Sequence, residues 1–236
     1  MCGRYAQGES ASGLEEICDV RIPPGVVIVP SWNVAPMQRA PIVGYDAATG
    51  GRALRVHRWG LVPSWADDPR VGAKAINARA ETAASRATFR AAFARRRCLV
   101  PASGFYEWRQ TDGGRVPEFV RVTGARAVAF AGLWEHWTTP DGEALRTFTV
   151  LTTEANELLR PIHDRMPVIL PPGAWDAWLD PAARAPALQR LLVPYPADAM
   201  ERRIVSARVG SAANDDASLI EPVSAAPGLF DPRDDG

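Results

Sequence analysis

The sequence predicts a single α+β domain with a mainly antiparallel β core and peripheral helices. Short segments rich in Val, Ile and aromatic residues recur along the chain and are separated by Gly and Pro. Helical patterns are few and short. The 236 residues contain no internal repeat and no evident linker, so one domain is expected to occupy residues 1–222. Residues 223–236, rich in Pro, Ala and Asp, are expected to form a loosely ordered tail.

The predicted strands are defined by their apolar, β-branched composition and by the turn residues that flank them. The polar, Gly-containing stretches 109–116 and 138–145 have the composition of hairpin connections. Strands are predicted at residues 26–29, 40–45, 52–59, 98–103, 104–108, 117–123, 126–134 and 146–152.

Helices are predicted from capping signals and from apolar residues spaced three or four apart. Ser12 and Glu15 have the spacing of a capping box, which predicts a helix through about Cys18, before Pro23 and Pro24. Thr88 is a candidate cap for a helix that runs into Arg95–Arg97. Further helices are predicted at residues 154–160, 173–179 and 183–192.

The charges are balanced overall but unevenly distributed. The formal net charge is zero, yet residues 70–97 hold eight basic residues and one acid, Glu81. Residues 214–216 and the C-terminus are acidic instead. Such a separation predicts a positive face suited to a modest DNA or RNA contact. A solvated arginine-rich helix is the alternative interpretation.

The three cysteines, Cys2, Cys18 and Cys98, have neither the number nor the spacing of a disulfide framework or a zinc knuckle. We therefore expect no metal and no cofactor. The N-terminus lacks the apolar segment of a signal peptide, and no apolar run is long enough to span a membrane. These features predict a cytoplasmic protein.

Cys2 directly follows the initiator Met, and a residue as small as Cys permits removal of that Met. The product would carry an α-amine and a thiol on adjacent carbons. The amine condenses with an aldehyde to a Schiff base. The thiol can then close a five-membered thiazolidine ring on the same carbon. Chance placement of a Cys after Met is the alternative.

Three further segments carry candidate chemistry. Asn77 and Arg79 are two residues apart, so a strand would point both to one face. Glu107 lies among aromatic residues, where burial would raise its pKa and suit it to proton transfer, unless it is a structural carboxylate paired with Arg. His163 has a cation two residues away, Arg165.

Eight tryptophans are many for this length. Trp59 and Trp65 bracket a loop stiffened by Pro63, which could present an indole for stacking on bases. Core packing explains most of the others, Trp175 and Trp178 especially.

Taken together, these motifs resemble the SRAP (SOS-response-associated peptidase) family of abasic-site processing proteins. The resemblance covers roughly residues 1–222 and depends on blocks that occur in family order. They are Met1–Tyr5, Trp32–Pro36, Trp59–Trp65, Asn77–Thr82, Arg97–Trp108, Ala131–Glu135, Leu151–Thr153 and His163–Leu170. The chain departs from the family pattern at Glu118, where an aromatic is common, and at Gly210, where an Asn is common.

The resemblance implies a barrel-like β core and a role for each matching residue. Cys2, freed of Met1, would form a thiazolidine with C1′ of a ring-opened abasic sugar in single-stranded DNA. Asn77 would orient the α-amine and the sugar, Glu107 would shuttle protons, and His163 would assist at the sugar hydroxyl. Residues implied to contact DNA are Arg4, Asn33, Pro36, Trp65, Arg79, Arg86, Trp108, Thr152 and Arg165.

Two other functions remain open from the sequence. One is a thiol autopeptidase that removes its own Met1 through Cys2, and the other is a non-catalytic module for single-stranded DNA. The expected partner is single-stranded DNA that contains abasic sites, with the replication machinery as a further candidate. The protein is expected to be a nucleoid-associated monomer. Whether strand-cleaving lyase activity accompanies the crosslink is left open.

Overall fold

A closed ring of five strands forms the centre of the molecule. The computed structural model describes residues 2–139 and 141–223. In this part of the chain the strands are β1 (Tyr5–Gln7), β2 (Ser31–Val34), β3 (Arg39–Asp46), β4 (Gly51–Trp59), β5 (Asn77–Arg79), β6 (Arg97–Ala102), β7 (Gly104–Thr111), β8 (Gly114–Val122), β9 (Val128–Thr138), β10 (Ala144–Glu154), β11 (Arg165–Pro167), β12 (Ile169–Leu170) and β13 (Met200–Ile204).

The ring closes because β10 has neighbours on both sides. The order around it is β4-β3-β6-β9-β10, and β10 then pairs in parallel with β4. The other pairings in the ring are antiparallel. Strands β5 and β11 also pair with β10 beyond the ring, and β12 extends β9. The mainly antiparallel, barrel-like core is thus confirmed.

The barrel interior is filled by large aromatic side chains. Trp59 stacks on Phe148, with ring centroids 6.3 Å apart, and meets Tyr5 edge-on at 5.2 Å. Phe130 meets Tyr5 edge-on as well, at 6.0 Å. These rings are completely buried, so the barrel is a packed core and not a channel.

A second sheet and the helices flank the barrel. The second sheet has the order β13-β8-β7-β1-β2. Helices pack a second apolar core against the outside of the barrel, where Phe93 and Trp178 meet edge-on at 5.9 Å. In the described chain these helices are α1 (Ala11–Cys18), α2 (Ala80–Ala83), α3 (Arg90–Arg95), α4 (Trp175–Leu179) and α5 (Ala185–Gln189). None of them is long and apolar enough to cross a membrane.

Most predicted strands are confirmed, but residues 26–29 are not a strand. The segment follows Pro23, Pro24 and a turn at Gly25, which has a φ of 82°. Val27 and Val29 are 75% and 71% exposed, and no described strand pairs with the segment. The β-branched run is present, but no described strand forms the hydrogen-bonded ladder that would make it a strand.

Residues 154–160 were predicted to be helical and form turns instead. Strand β10 continues to Glu154, and the side chain of Asn156 then forms hydrogen bonds with nearby main-chain groups. Its Oδ1 accepts from the Leu159 amide at 3.1 Å, and its Nδ2 donates to the Tyr195 carbonyl at 2.8 Å. An Asn side chain that satisfies the backbone in this way favours a turn over a helix.

Two helix starts were placed wrongly. Helix α1 is capped by Ser10, not Ser12, since the Ser10 side chain accepts from the Gly13 amide. Helix α3 begins after Phe89, and no side chain caps it, so Thr88 does not have the predicted role. The domain boundary after residue 222 stays a prediction, because every residue of the expected tail except Val223 lies outside the described residues.

Candidate active site at Cys2

Four separate segments of the chain bring the predicted catalytic side chains close to Cys2. Cys2 precedes β1, Asn77 begins β5, Glu107 lies within β7, and His163 comes just before β11. Strand β5 reaches this position because Asn77 pairs with Val150 of β10. The neighbouring Trp59 indole also donates to the Ile76 carbonyl at 2.8 Å.

Gly60 allows the loop that carries β5 to pack this closely. Its φ is 126°, and its amide donates to the Phe148 carbonyl at 2.8 Å. A Cβ at this position would lie 2.8 Å from the Gly72 carbonyl oxygen. Only glycine can therefore adopt this φ and also leave room for the Gly72 carbonyl.

Cys2 is completely buried and is held by Asn77. The Asn77 Nδ2 donates to the Cys2 carbonyl at 2.7 Å. The Asn77 Oδ1 is buried and accepts no hydrogen bond within the described chain, so one acceptor remains beside Cys2. Burial raises the pKa of the Cys2 thiol well above its usual range, and the negative charge of Glu107 raises it further. The thiol is thus protonated at neutral pH.

Glu107 is positioned by the pairing of β7 with the N-terminal strand. Tyr5 pairs with Phe105, and the Tyr106 amide donates to the Arg4 carbonyl at 2.9 Å, so Glu107 lies alongside the residues before β1. The carboxylate is buried. Burial raises the pKa of Glu107, and the charge of Asp164 adds to the effect. A carboxyl group with a raised pKa is suited to taking up and returning a proton.

His163 is anchored through its Nδ1 atom. That atom lies 2.9 Å from the Arg165 amide, from which it accepts, and 2.8 Å from an oxygen of Asp164. Burial lowers the pKa of His163, and the charge of Asp164 offsets part of the effect. Sequence reasoning did not single out Asp164, whose charge acts on both His163 and Glu107. Its position next to His163 was the available signal.

A groove of about 760 Å³ is lined by Asn77, the residue that holds the Cys2 carbonyl. Its wall includes Asn77, Arg79, Arg86 and Trp65, and the Trp65 side chain is 64% exposed. Asn77 and Arg79 both line the groove, as their spacing in a strand predicted. Lys74, which was not among the predicted site residues, lines it as well. Asp67 and Asp68 lie at its edge, and Asp68 is paired with Arg70. The groove therefore combines cations, two carboxylates, an exposed indole and the Asn77 amide that holds Cys2.

Arg4 and Asn33 lie in a structural network instead. The Arg4 guanidinium donates to Asn33 Oδ1 and to the Val209 carbonyl, each at 2.9 Å. Asn33 is buried, and its Nδ2 donates to the carbonyls of Ser211 and Asn214 at 2.9 and 2.6 Å. Both side chains thus fasten the 209–214 segment to the sheet.

The remaining predicted DNA contacts are distributed around the site. Arg165 forms a bidentate ion pair with Glu81 at 2.8 and 2.9 Å and donates to the Thr152 carbonyl at 2.6 Å. Thr152 itself is buried. Pro36 and Trp108 are half-buried, and Trp108 packs against a small apolar cluster beside the second sheet.

The predicted basic face is smaller than the sequence indicates. Arg97 is buried and donates to the carbonyls of Trp178, Phe93 and Ala94 at 2.7–2.8 Å. Arg70 pairs with Asp68 and Arg96 with Glu135, at 2.6 Å each. Within residues 70–97, the exposed cations without an ion pair in the described chain are Lys74, Arg79, Arg86, Arg90 and Arg95.

Glu118 departs from the family pattern and is a buried structural carboxylate. It accepts from Arg109 at 2.6 Å and from Arg202 at 2.8 Å, away from Cys2.

Among the described residues, no cluster of three or more His, Cys, Asp or Glu side chains could hold a metal ion.

The model of the family described as SOS response associated peptidase (SRAP) matches residues 1–212. The chain belongs to the SRAP family. A relative from Bacillus subtilis, named abasic site processing protein YoqW, is 42% identical over 94% of this chain and 99% of its own length. The chicken abasic site processing protein HMCES is 33% identical, over 94% of this chain and 78% of its own.

The SRAP fold is also seen in a crystal structure of a Bacteroides thetaiotaomicron protein. It superposes with a TM-score of 0.86 at 23% identity and covers 94% of this chain and 100% of that one. At this level of identity the match shows the fold alone. This chain and the Bacteroides protein therefore share the same α+β, barrel-like architecture.

Proposed function

We propose that this protein processes abasic sites in single-stranded DNA by linking Cys2 covalently to the lesion after Met1 is removed. The observation that carries the proposal is the buried Cys2, held by Asn77 and acted on by Glu107, beside a groove with cations and an exposed indole. The names of the SRAP relatives, abasic site processing proteins, support the same substrate.

The chemistry begins at the α-amine of the processed Cys2. Ring opening of the abasic sugar frees its C1′ aldehyde. The amine nitrogen forms a bond to C1′, and the aldehyde oxygen leaves as water together with the two amine protons, which gives a neutral imine. The Cys2 sulfur then bonds to C1′ while the π electrons of the C=N bond return to nitrogen. The thiol proton passes to nitrogen, so the net change is aldehyde plus aminothiol to thiazolidine plus water.

Asn77 and Glu107 have distinct roles in these steps. The Asn77 amide fixes the Cys2 main chain, and its buried Oδ1 is available to accept from the new α-amine. The Cys2 thiol is protonated, so ring closure needs a base, and Glu107 is the carboxylate whose charge acts on that thiol. His163, anchored through Nδ1, assists at the sugar hydroxyl.

The groove supplies the non-covalent part of recognition. Arg79 and Arg86 hold phosphates on either side of the lesion, and Trp65 stacks on a neighbouring base. The protein acts as a monomer at the nucleoid in the cytoplasm, and the replication machinery is the partner that presents single strands to it.

The experiment uses a single-stranded oligonucleotide with one uracil and a uracil glycosylase. The processed protein should give a conjugate that survives denaturing gel electrophoresis, and a matched thymine oligonucleotide should give none. Cys2→Ala keeps the α-amine but lacks the thiol, so its product should be a Schiff base that is lost without reductive trapping. A conjugate of equal stability from Cys2→Ala would exclude the thiazolidine.

Removal of Met1 by Cys2 itself is a second candidate function. The same burial and the Asn77 contact that hold the Cys2 main chain favour it, and the family description includes peptidase. Synthesis in a translation mixture without methionine aminopeptidase tests it. Intact mass should show loss of Met1 from the wild type and retention of Met1 in Cys2→Ala.

A further inference from the structure

The barrel has an opening on the side between β4 and β10. In the described chain these two strands pair at only two positions, Thr147 with Arg58 and Phe148 with Trp59. Before these pairs, β4 runs alongside β3, and the start of β10 runs alongside β9. The two strands therefore diverge and leave a gap in the barrel wall.

The side chains at this gap are cationic. Arg55, His57 and Trp59 alternate along β4, so all three face the barrel interior, where Trp59 is buried. Arg146 is likewise two residues before the inward-facing Phe148 of β10. Arg39 reaches the gap from β3 and donates to the Val56 carbonyl at 3.2 Å.

A cavity of about 440 Å³ occupies the gap. Its cationic wall is formed by Arg39, Arg55, His57 and Arg146, and its opposite wall is apolar, with Val26 and other aliphatic residues of the 23–27 loop and β4. No described carboxylate lines it. The closest acid to contact these arginines is Asp46, 3.6 Å from Arg55.

His57 is the unusual member of this wall. It is 1% exposed, and neither ring nitrogen has a hydrogen-bond partner of good geometry in the described chain. The Nη1 atom of Arg55 is also buried without a partner. The ring packs edge-on against Trp134, with centroids 5.6 Å apart, which holds it in place. Buried polar atoms of this kind are normally satisfied, and the Val56 carbonyl near His57 can serve only one of them, so a further partner is expected from outside the chain.

We propose that this cavity binds a phosphate monoester, with Arg39, Arg55 and Arg146 around the phosphate and His57 hydrogen-bonded to it. Three guanidinium groups match the charge of a dianion better than that of a monocarboxylate, and their planar donors suit phosphate oxygens. The apolar wall and the volume leave room for the organic part of the ester. A free nucleotide and the terminal phosphate of a DNA strand share this chemistry.

The cavity is separate from the site at Cys2. No residue of the candidate active site lines it. Asn77, which holds Cys2, pairs with Val150 of β10, four residues from Arg146, or about 13 Å along a strand. Its occupation can thus be measured independently of the crosslink.

The ligand should also change the titration of His57. The pKa of His57 is lowered to about 4, chiefly by burial and in smaller part by the charges of Arg146, Arg55 and Arg39, whereas the Val56 carbonyl offsets part of the effect. A bound dianion neutralises those arginines and stabilises the imidazolium. The His57 pKa should therefore rise toward its ordinary value when the site is filled.

The test is an NMR titration of the full chain, which has only three histidines. The His57 ring resonances, assigned with His57→Gln, are followed as dAMP is added and, in parallel, inorganic phosphate. The wild type should show a saturable shift with dAMP and a raised His57 pKa. Arg146→Gln should weaken dAMP binding about ten-fold or more, as expected for loss of a charge-assisted contact. Arg190→Gln, an exposed arginine outside the cavity, is the matched control and should bind as the wild type does.

A short oligonucleotide with and without a 5′-phosphate identifies the source. Dependence on the terminal phosphate assigns the site to a strand end, and binding of dAMP alone assigns it to a free nucleotide. The proposal is overturned if neither dAMP nor the phosphorylated oligonucleotide shifts His57, if only inorganic phosphate does, or if Arg146→Gln binds equally well. Sodium chloride at matched ionic strength should leave His57 unchanged. The uracil oligonucleotide assay at Cys2 is scored separately, so either proposal can fail alone.

Discussion

The side-chain amide of Asn77 donates a hydrogen bond to the main-chain carbonyl of Cys2 at 2.7 Å. The two residues are 75 positions apart, and strand β5 brings them together through its parallel pairing with β10. This contact fixes the main chain of the residue whose amine and thiol must both reach one carbon. It connects the groove, which Asn77 lines, to the buried thiol.

Asn77→Ala should slow conjugate formation by roughly 100-fold, since an unheld Cys2 samples unproductive orientations of its amine. The folding free energy should change little, because Asn77 is only half-buried. Single-turnover conjugation kinetics and a denaturant melt measure the two effects. Asn77→Ala kinetics equal to those of the wild type would remove Asn77 from the mechanism.

Glu107→Gln should change the pH dependence of conjugation. Burial raises the pKa of Glu107, so in the wild type the rate should fall as the pH drops through that raised value, where the carboxylate becomes protonated. Gln keeps the shape but cannot accept a proton, so the variant should lose this limb and react more slowly at neutral pH. Rate profiles between pH 5 and 9 compare them, and identical profiles would speak against a proton-transfer role.

The same substitution should affect stability in the opposite sense. Because the pKa of Glu107 is raised in the folded state, the folded protein binds this proton more tightly than the unfolded chain does. The wild type therefore loses stability as the pH rises from the unfolded-state pKa of Glu107 to its folded-state pKa. Glu107→Gln carries no charge and should be at least as stable as the wild type near pH 7. A less stable variant would indicate that Glu107 is mainly a structural carboxylate.

Trp65→Ala should weaken affinity for single-stranded DNA by about 5- to 100-fold, the range expected for loss of one stacked base. Its side chain is 64% exposed, so the melting temperature should not change. Trp65→Phe retains a stacking face and is the control. Fluorescence anisotropy with an undamaged oligonucleotide measures the effect, and equal affinities for all three proteins would place the strand elsewhere.

Arg97 and Arg86 both belong to the arginine-rich residues 70–97, but substitution of Arg97 should affect stability and substitution of Arg86 should affect DNA binding. Arg97→Lys cannot replace the several donors that Arg97 directs to buried carbonyls, so unfolding should become easier by about 3 kcal/mol. Arg86→Gln should leave stability intact, weaken DNA binding and reduce the salt slope by about one. Chemical denaturation and salt titrations distinguish them, and an Arg97 variant with weakened DNA binding but unchanged stability would reverse the assignment.

Local patterns in the sequence predicted the barrel strands and singled out the four candidate side chains that the fold brings close together, whose catalytic roles stay a prediction. The alternation along β4 and β10, together with Gly and Pro at their ends, involves only neighbouring residues and can therefore be recognised in the sequence. The structure of residues 26–29 cannot be recognised in this way. Val27 and Val29 have strand composition, but they form a strand only if the edge of another strand is available for pairing. Asn156 likewise ends a helical pattern through contacts 39 residues away.

The electrostatics were predictable only in part. Arg97 and Arg86 have the same side chain in the same segment, and only the packing of α4 against β6 shows that Arg97 is buried under Trp178. The ion pair between Arg165 and Glu81 and the cavity at His57 also depend on segments that are far apart in the sequence but adjacent in the fold. The β10 neighbours in particular could not be derived from local patterns.

The central claim is that the α-amine and the thiol of Cys2 act together on one carbon. Intact-protein and peptide mass spectrometry of the reaction with an abasic oligonucleotide tests it most directly. The processed protein should gain the mass of the oligonucleotide less one water, on the peptide that begins at Cys2. A form with an uncleavable extension before Cys2 keeps the thiol but has no free amine there, and it should gain nothing. An equal yield of adduct from the extended form, or an adduct on any other residue, would contradict the account.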